Sequence, residues 1–368
     1  MARRTRRIPG LLIALSLAAT GLGIGGVAMT TGNASASTPA AADHAADHAG
    51  MPGMAMPLTG NGLASGDDPD GDGYIMANPP VTGVTPSTYE PPHAYFHEFQ
   101  AQCAPTHTAP DDPIVFPGQP GASHDHTFMG NTSTNGNSTT ASLETGNTVC
   151  LAPGDKSAYW MPSLFKGTQK ILPVGTQTIY YKSSVNDYTS VRPFPKGLRF
   201  VVGSPSQTQD EFQHLKGTVE GWECGTSYHN WNIPVSCPNT PDTQLNIRLQ
   251  APSCWDGIHL DVPDHKSHMA YPVAGGANQN VCPADHPVAL PMIEFKMAWP
   301  VNGDMSQVHL SSGQGFSFHY DFFNDWDAAT LNALVTHCIN GGLQCDARGY
   351  DQSQPQKGAA LNQNYQLP

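Results

Sequence analysis

From about residue 91 onward, short apolar runs recur along the chain, each bounded by Pro, Gly, Asn or Thr. Runs of this length and punctuation predict strands. The clearest are Pro113–Phe116, Thr178–Tyr181, Leu198–Val202, Gln244–Leu249 and Met292–Trp299. In the last of these, Glu294 and Lys296 alternate with Ile293, Phe295 and Met297, the pattern of a strand with one buried face. Further on, Phe316, Phe318, Tyr320 and Phe322 alternate with Ser317, His319 and Asp321. That spacing puts four rings on a core face and a histidine and an aspartate on the other. The period changes clearly only once. Leu331, Leu334, Val335, Cys338 and Ile339 fall on one helical face, predicting a helix over Ala328–Ile339 with Asp327 as its cap and Gly341 or Gly342 at its end. There is no regular βαβ alternation and no internal repeat. The expected fold is mainly β: a single β-sandwich or jelly-roll-like domain over residues 91–350, with long loops, disulfides and one short C-terminal helix. Residues 351–368 form a polar C-terminal tail.

The start of the chain follows other rules. Arg3, Arg4, Arg6 and Arg7 precede an apolar stretch from Leu11 to Met29, and Ala34-Ser35-Ala36 offers a small-residue cleavage site. Residues 1–36 therefore read as an export signal peptide, and the expected location is secreted and extracellular. The paired arginines leave both general and twin-arginine export open. No second apolar run has the length of a membrane span, so no membrane contact is expected after cleavage. Residues 37–90 read as a disordered linker, poor in large apolar groups. Its first part carries His44, His48, Met51, Met54 and Met56, and such thioethers and imidazoles suit copper. Its second part, Asp68 to Tyr74, alternates acids and glycine like a calcium loop. The twelfth position, however, is Pro79 where a bidentate Glu belongs, so an acidic turn is expected.

Charge and cysteine narrow the function classes. The whole chain has 17 Lys+Arg and 30 Asp+Glu; the first 36 residues hold four arginines and no acids, leaving 13 against 30, a net of −17. A nucleic-acid partner, which needs a basic stripe, is not expected. All eight cysteines follow the signal, an even count that predicts disulfides in an exported chain. The sequential pairing 103–150, 224–237, 254–282 and 338–345 is the expected one among 105 connectivities.

Candidate chemistry concentrates in three segments. Residues 254–272 hold three aspartates and three histidines, among them Asp256, Asp264, His265 and His268. Such density implies a hydrogen-bonded network, a metal site or catalysis. Residues 113–131 contain His124 and His126, which project to one face if the backbone is extended. The third segment carries His319 and Asp321. Each is too polar for a dry core alone, so the three are expected to converge on one cleft in which carboxylates orient imidazoles.

Eight segments together carry a resemblance. They are Asp112-Pro-Ile-Val-Phe-Pro-Gly, Ser123-His-x-His-Thr-Phe-x-Gly-Asn, Ser157-Ala-Tyr-Trp-x-Pro, Phe194-Pro-x-Gly-Leu-Arg, Cys254-Trp-Asp-Gly, Leu260-Asp-x-Pro-Asp-His-x-Ser-His-Met, Cys282-Pro-x-x-His-Pro-Val and Phe318-His-x-Asp-Phe-Phe-Asn-x-Trp. Over residues ~93 to ~345 the chain resembles DUF1996, a family of secreted microbial proteins described only as a domain of unknown function. The resemblance implies export and one domain, and it supplies no activity. No Gly-x-Ser-x-Gly elbow, His-Glu-x-x-His or Walker loop is present. The leading expectation is a secreted protein whose cleft binds a divalent metal or copper, or hydrolyses a cell-wall or environmental polymer. The metal-ligand candidates are His124, His126, His265, His268 and His319, and the catalytic candidates are Asp264, Asp321 and Asp256. The alternatives are a non-enzymatic glycan or cell-wall-binding module, and a copper-binding protein acting through the Met/His tail.

Overall fold

The computed structural model describes residues 66–276 and 279–367. The expected signal peptide and the Met/His segment lie outside the described residues. Two antiparallel sheets dominate. Six strands run in the spatial order Ser227–Asn230, Thr218–Cys224, Leu245–Gln250, Met292–Trp299, Thr178–Lys182, Glu98–Gln100. Five strands run in the order Pro105–Ala109, His126–Gly130, Ala158–Pro162, His319–Phe323, Arg199–Gly203.

Aromatic side chains fill the space between the sheets. Phe295 of the six-stranded sheet stacks on Tyr320 of the other, with ring centroids 3.8 Å apart, and Tyr159 packs against Phe295 at 5.9 Å. Their polar ends are satisfied in a chain: Trp326 Nε1 donates to the Tyr181 hydroxyl, which meets the Tyr159 hydroxyl at 2.6 Å, and Tyr159 donates to Asp155. Burial pushes the Asp155 carboxyl up to about 7, with the Tyr159 and Ser157 hydrogen bonds pulling against that shift.

The two sheets differ in what covers them. Leu245–Gln250 alternates between buried and half-buried positions, as a sheet with one solvated face should. By contrast, the His126, Ala158, Arg199 and His319 strands are buried at every position. One face of the five-stranded sheet meets the six-stranded sheet. Its other face carries a second apolar cluster of Phe128, Trp160, Val201 and Phe323, closed over by Ile114 from a turn and Leu143 from a short helix.

The sequence-predicted strands reappear with shifts of about one residue, except one. Pro113–Phe116 is a turn rather than a strand, because Asp112 Oδ1 accepts from the Ile114 and Val115 N–H groups and curls the backbone. Gly315–Ser317 is a 3-10 turn, so the polar/aromatic alternation acts as a strand only from His319. The C-terminal helix is α over Ala328–Leu334, capped by Asp327, and continues as one π turn through Val335–Ile339. Two further short helices, Thr140–Thr145 and Gln209–His214, were not anticipated; the second carries a capping box from Thr208 to Glu211 that was legible in the sequence.

The linker expectation fails for residues 66–90. Ile75–Met76 pairs with the His259–Asp261 strand, and the Ala77 and Val81 N–H groups donate to Ile258 and Gly257 carbonyls. Asp67 forms an ion pair with the buried Arg199 at 2.7 Å. Main-chain pairing and one buried ion pair hold a segment whose apolar content alone would not. Asp68 spends both carboxylate oxygens on the Gly71 and Gly73 N–H groups, the expected acidic turn. The four disulfides pair as 103–150, 224–237, 254–282 and 338–345.

The intersheet aromatic contact sets a stability expectation. Phe295→Ala should lower unfolding free energy by about 3–5 kcal/mol, the usual cost of truncating a buried phenylalanine. Denaturant unfolding of the oxidised protein measures it, and a loss below about 1 kcal/mol would mean that the contact is not central to the core.

Candidate metal centre

The centre forms where the doubly buried sheet has histidine and aspartate on its loop-covered face. In the His126 strand, residues alternate across the sheet, so His126 and Phe128 share this face. In the neighbouring His319 strand, His319, Asp321 and Phe323 do the same. Asp125 secures the approach to the first strand. Its carboxylate pairs with Lys170 at 2.7 Å, and its carbonyl accepts from Ser163 N and Ser311 Oγ. With Asp125 pinned outward, His124 and His126 turn inward together. Gly203, opposite His319 in the register, allows the close approach; a Cβ there would meet the Phe318 carbonyl at 2.8 Å, and its φ is +82°.

Hydrogen bonding fixes how the imidazoles face. A carbonyl can only accept, so a ring nitrogen bonded to one must carry its proton. His126 donates from Nδ1 to the Asp111 carbonyl at 2.9 Å, and His319 donates from Nδ1 to the Ser317 carbonyl at 2.9 Å. In neutral rings this leaves a lone pair on each Nε2, and these two atoms face each other at 3.4 Å. The third ring, His124, lies 4.2 Å from His126 and 5.0 Å from His319 between centroids, with a buried Nε2 that has no hydrogen-bond partner. Burial drives the His124 pKa down to about 4. Burial also drives His126 well below its usual range, reinforced by the neighbouring rings. His124 and His126 are thus held in the neutral, ligating form.

Two carboxylates complete the group. Asp321 is fully buried, and neither of its oxygens has a hydrogen-bond partner. Its pKa is raised well above normal by burial first and by the Asp112 charge second. Asp112 is raised to about 6, mainly by burial, against two backbone donors. One donor atom each from His124, His126 and His319 lies within 4.8 Å of the others, and so do donor atoms of Asp112, His126 and Asp321. His126 has a single nitrogen to offer, since Nδ1 is committed to Asp111. The two sets therefore describe one centre of up to five donors.

The rim belongs to residues 261–268. Asp264, His265 and Lys266 line the same cavity of about 50 Å³ as Asp112, His124, His319 and Asp321. His265 sits at φ 56°, a left-handed conformation costly for a side chain of its size, and donates from Nδ1 to Asp261 at 2.9 Å. Burial alone would lower the His265 pKa; Asp261, through its charge and that hydrogen bond, raises it instead. His265 is not among the residues whose donor atoms gather at the centre, and its Nδ1 is committed to Asp261. Asp264 accepts the Lys266 and Ser267 N–H groups, which outweigh burial and hold its pKa low. The other two candidates are elsewhere: His268 donates from Nε2 to the Arg199 carbonyl at 2.9 Å, and Asp256 pairs with His259 Nδ1. Neither lines the cavity. Of the three segments expected to converge, all contribute, but residues 254–272 do so through Asp264 and His265.

Sequence reading missed Asp112 as a participant, although the acid pair Asp111-Asp112 before Pro113 was a visible signal. It also missed Asp261, four residues ahead of His265. A sequence model of a family described as "Domain of unknown function (DUF1996)" matches residues 112–326, more than half of the chain. The chain belongs to that family. No curated protein and no solved structure matches it. The matched span begins at Asp112 and includes every residue of the centre.

A pH dependence follows for the metal-free protein. His124 has a folded pKa of about 4 against 6.5 unfolded, so the unfolded chain binds the extra proton between those values and stability is lost as pH falls through this window. His124→Gln removes the group. Relative to the parent, that variant should gain up to about 1.4 kcal/mol per pH unit between pH 6.5 and 4. Paired denaturant curves measure the difference, and a pH-independent difference would contradict a neutral buried His124.

Proposed function

We propose that this is an exported protein that holds one divalent transition-metal ion through His124, His126, His319 and Asp321, and uses it to hydrolyse an extracellular substrate. One observation carries the reading: two buried imidazoles, each fixed as an Nδ1 donor to a carbonyl, aim their Nε2 lone pairs at one another beside a carboxylate with no partner. The buried His124 Nε2 and the buried Asp321 carboxylate, both without a hydrogen-bond partner, are costly to hold there, so the arrangement favours a cation among them. A carbonyl on the distal nitrogen is also the usual outer support of a ligating histidine. The donor set suits zinc, copper, nickel or iron better than calcium or magnesium.

Export is supported by the basic-apolar start of the sequence and by four disulfides. Among the described residues, no helix is long and apolar enough to cross a membrane.

The metal would supply Lewis acidity and a more acidic water. Asp112, beside Asp321 and His126, is the carboxylate positioned to take a proton from that water. His265, oriented by Asp261, is the group positioned to return one to a leaving atom. A cavity of about 50 Å³ admits an ion with a water or two, not a substrate. A groove of about 540 Å³ adjoins it and shares Val201, Ser206 and Lys266 with it. The substrate is therefore expected to lie in this groove with its reacting bond at the Lys266 edge.

The test is metal analysis with calorimetric titration of chelator-treated protein, using zinc and copper ions in turn. One equivalent should bind the parent chain beyond whatever the variants retain. His126→Ala and His319→Ala should each weaken that site by more than the roughly 10–100-fold expected from losing an outer-shell partner. The exposed His214→Ala should leave it intact. Equal binding by the parent and by a variant lacking His124, His126 and His319 together would rule the centre out.

A further inference from the structure

We infer that the groove at one end of the six-stranded sheet is a binding site for a neutral polysaccharide, separate from the centre on the other sheet. Its floor is made by Gln250, Met292 and Lys182, at adjacent ends of three neighbouring strands. Its walls are the Ser183–Tyr188 loop and the segment from Glu90 to His97, enclosing about 670 Å³, enough for several sugar units.

Exposed aromatic rings stand on the segment that forms one wall: Tyr89, Tyr95 and Phe96 are 60%, 87% and 46% exposed, and Tyr95 lies 5.0 Å between centroids from His93, which lines the groove. A single exposed ring needs no explanation, but several within eight residues mark a surface meant to be covered. The segment that carries them is tied down. Tyr188 donates its hydroxyl to the Pro92 carbonyl at 2.7 Å, Gln279 donates to Glu90 at 2.9 Å, and Glu98 N donates to the Leu343 carbonyl. Anchored main chain thus presents the rings to solvent.

The character of the floor selects the occupant. The Lys182 ammonium is neutralised by Glu98 at 3.5 Å and Glu294 at 3.2 Å, and Glu90 adds a further carboxylate. With the chain at a net −17 after the signal, by the same 13 against 30, anionic polymers and anionic membranes are repelled. A protein partner would require an apolar, charge-depleted patch at the centre. Here Ser183, Ser184, Asn186, Gln250 and Asn280 line the groove instead. Hydroxyl and amide groups in the groove, with exposed rings on the segment that walls it, match the hydroxyls and apolar ring faces of an uncharged sugar chain.

The experiment is sedimentation of the mature protein with insoluble cellulose, chitin and β-1,3-glucan at low and high salt. At least one of these should deplete the protein from solution, with little loss at high salt because no ion pairs are involved. A Tyr95→Ala/Phe96→Ala variant should bind about tenfold more weakly. Both side chains are exposed, so the variant should keep its fold, checked by unchanged unfolding curves. A variant lacking His124, His126 and His319 should bind as the parent does, which separates this inference from the metal centre. Failure to sediment with any of the three glycans, or equal sedimentation of the aromatic variant, would overturn it. So would depletion by anionic lipid vesicles alone, or a Tyr95-dependent dimer in solution.

Discussion

Burial of both faces of the five-stranded sheet is the constraint on which the rest of the molecule depends. An ordinary sandwich sheet gives one face to the core and one to water, as Leu245–Gln250 does in the six-stranded sheet. The strands led by His126, Ala158, Arg199 and His319 have no wet face. Loops from residues 111–125 and 261–268 close over them, and most of what they cover is apolar: Phe128, Trp160, Val201 and Phe323. Apart from Arg199, which is paired with Asp67, the polar remainder is His126, His319 and Asp321. Removing these from water is costly unless they gain partners of equal quality, and carbonyls satisfy only the far side of each ring. The fold therefore creates the electrostatic need that defines the centre.

Much of this was legible because it is local. Runs of β-formers between turn residues marked the strands to within about one residue, and one helical period marked the C-terminal helix. The sequential disulfides suit a chain of antiparallel neighbours, in which cysteines close in sequence are also close in space. The His-x-His spacing was informative for the same reason, since a period of two puts both rings on one side. Pro113–Phe116 misled because its composition is that of a strand. The residue that overrides it, Asp112, acts through two hydrogen bonds to its own turn.

What could not be read is non-local. His265 and His268 both belong to a polar loop, and spacing alone cannot say which one faces the cavity. That choice follows from Asp261, whose carboxylate accepts a hydrogen bond from His265 Nδ1, and from the Arg199 carbonyl, which accepts one from His268 Nε2. Both contacts depend on how the loop lies across the Arg199 strand, where the Val201 N–H donates to the His265 carbonyl. Likewise the ordering of residues 66–90 depends on pairing with residues 257–261, nearly two hundred positions away. A composition poor in large apolar residues predicts disorder only when no partner backbone is available.

The covering loops are rigid by design of their hydrogen bonds, and this bears on how the centre would work. Asp111 takes the Gly121 and Gly136 N–H groups, Asp112 takes those of Ile114 and Val115, and Asp264 takes those of Lys266 and Ser267. Each carboxylate fixes a turn directly above the cavity, and the Cys254–Cys282 bridge closes the segment that includes residues 261–268. Loops held this way have little conformational freedom left to lose when an ion arrives, so most of the interaction energy would appear as affinity. The left-handed backbone at His265 fits the same account. A strained conformation persists where its surroundings over-determine it, and here the Asp261 pair, the Val201 bond and the closed loop all do so. The strain is the cost of directing this imidazole toward the cavity while His268, three residues on, turns to the Arg199 carbonyl.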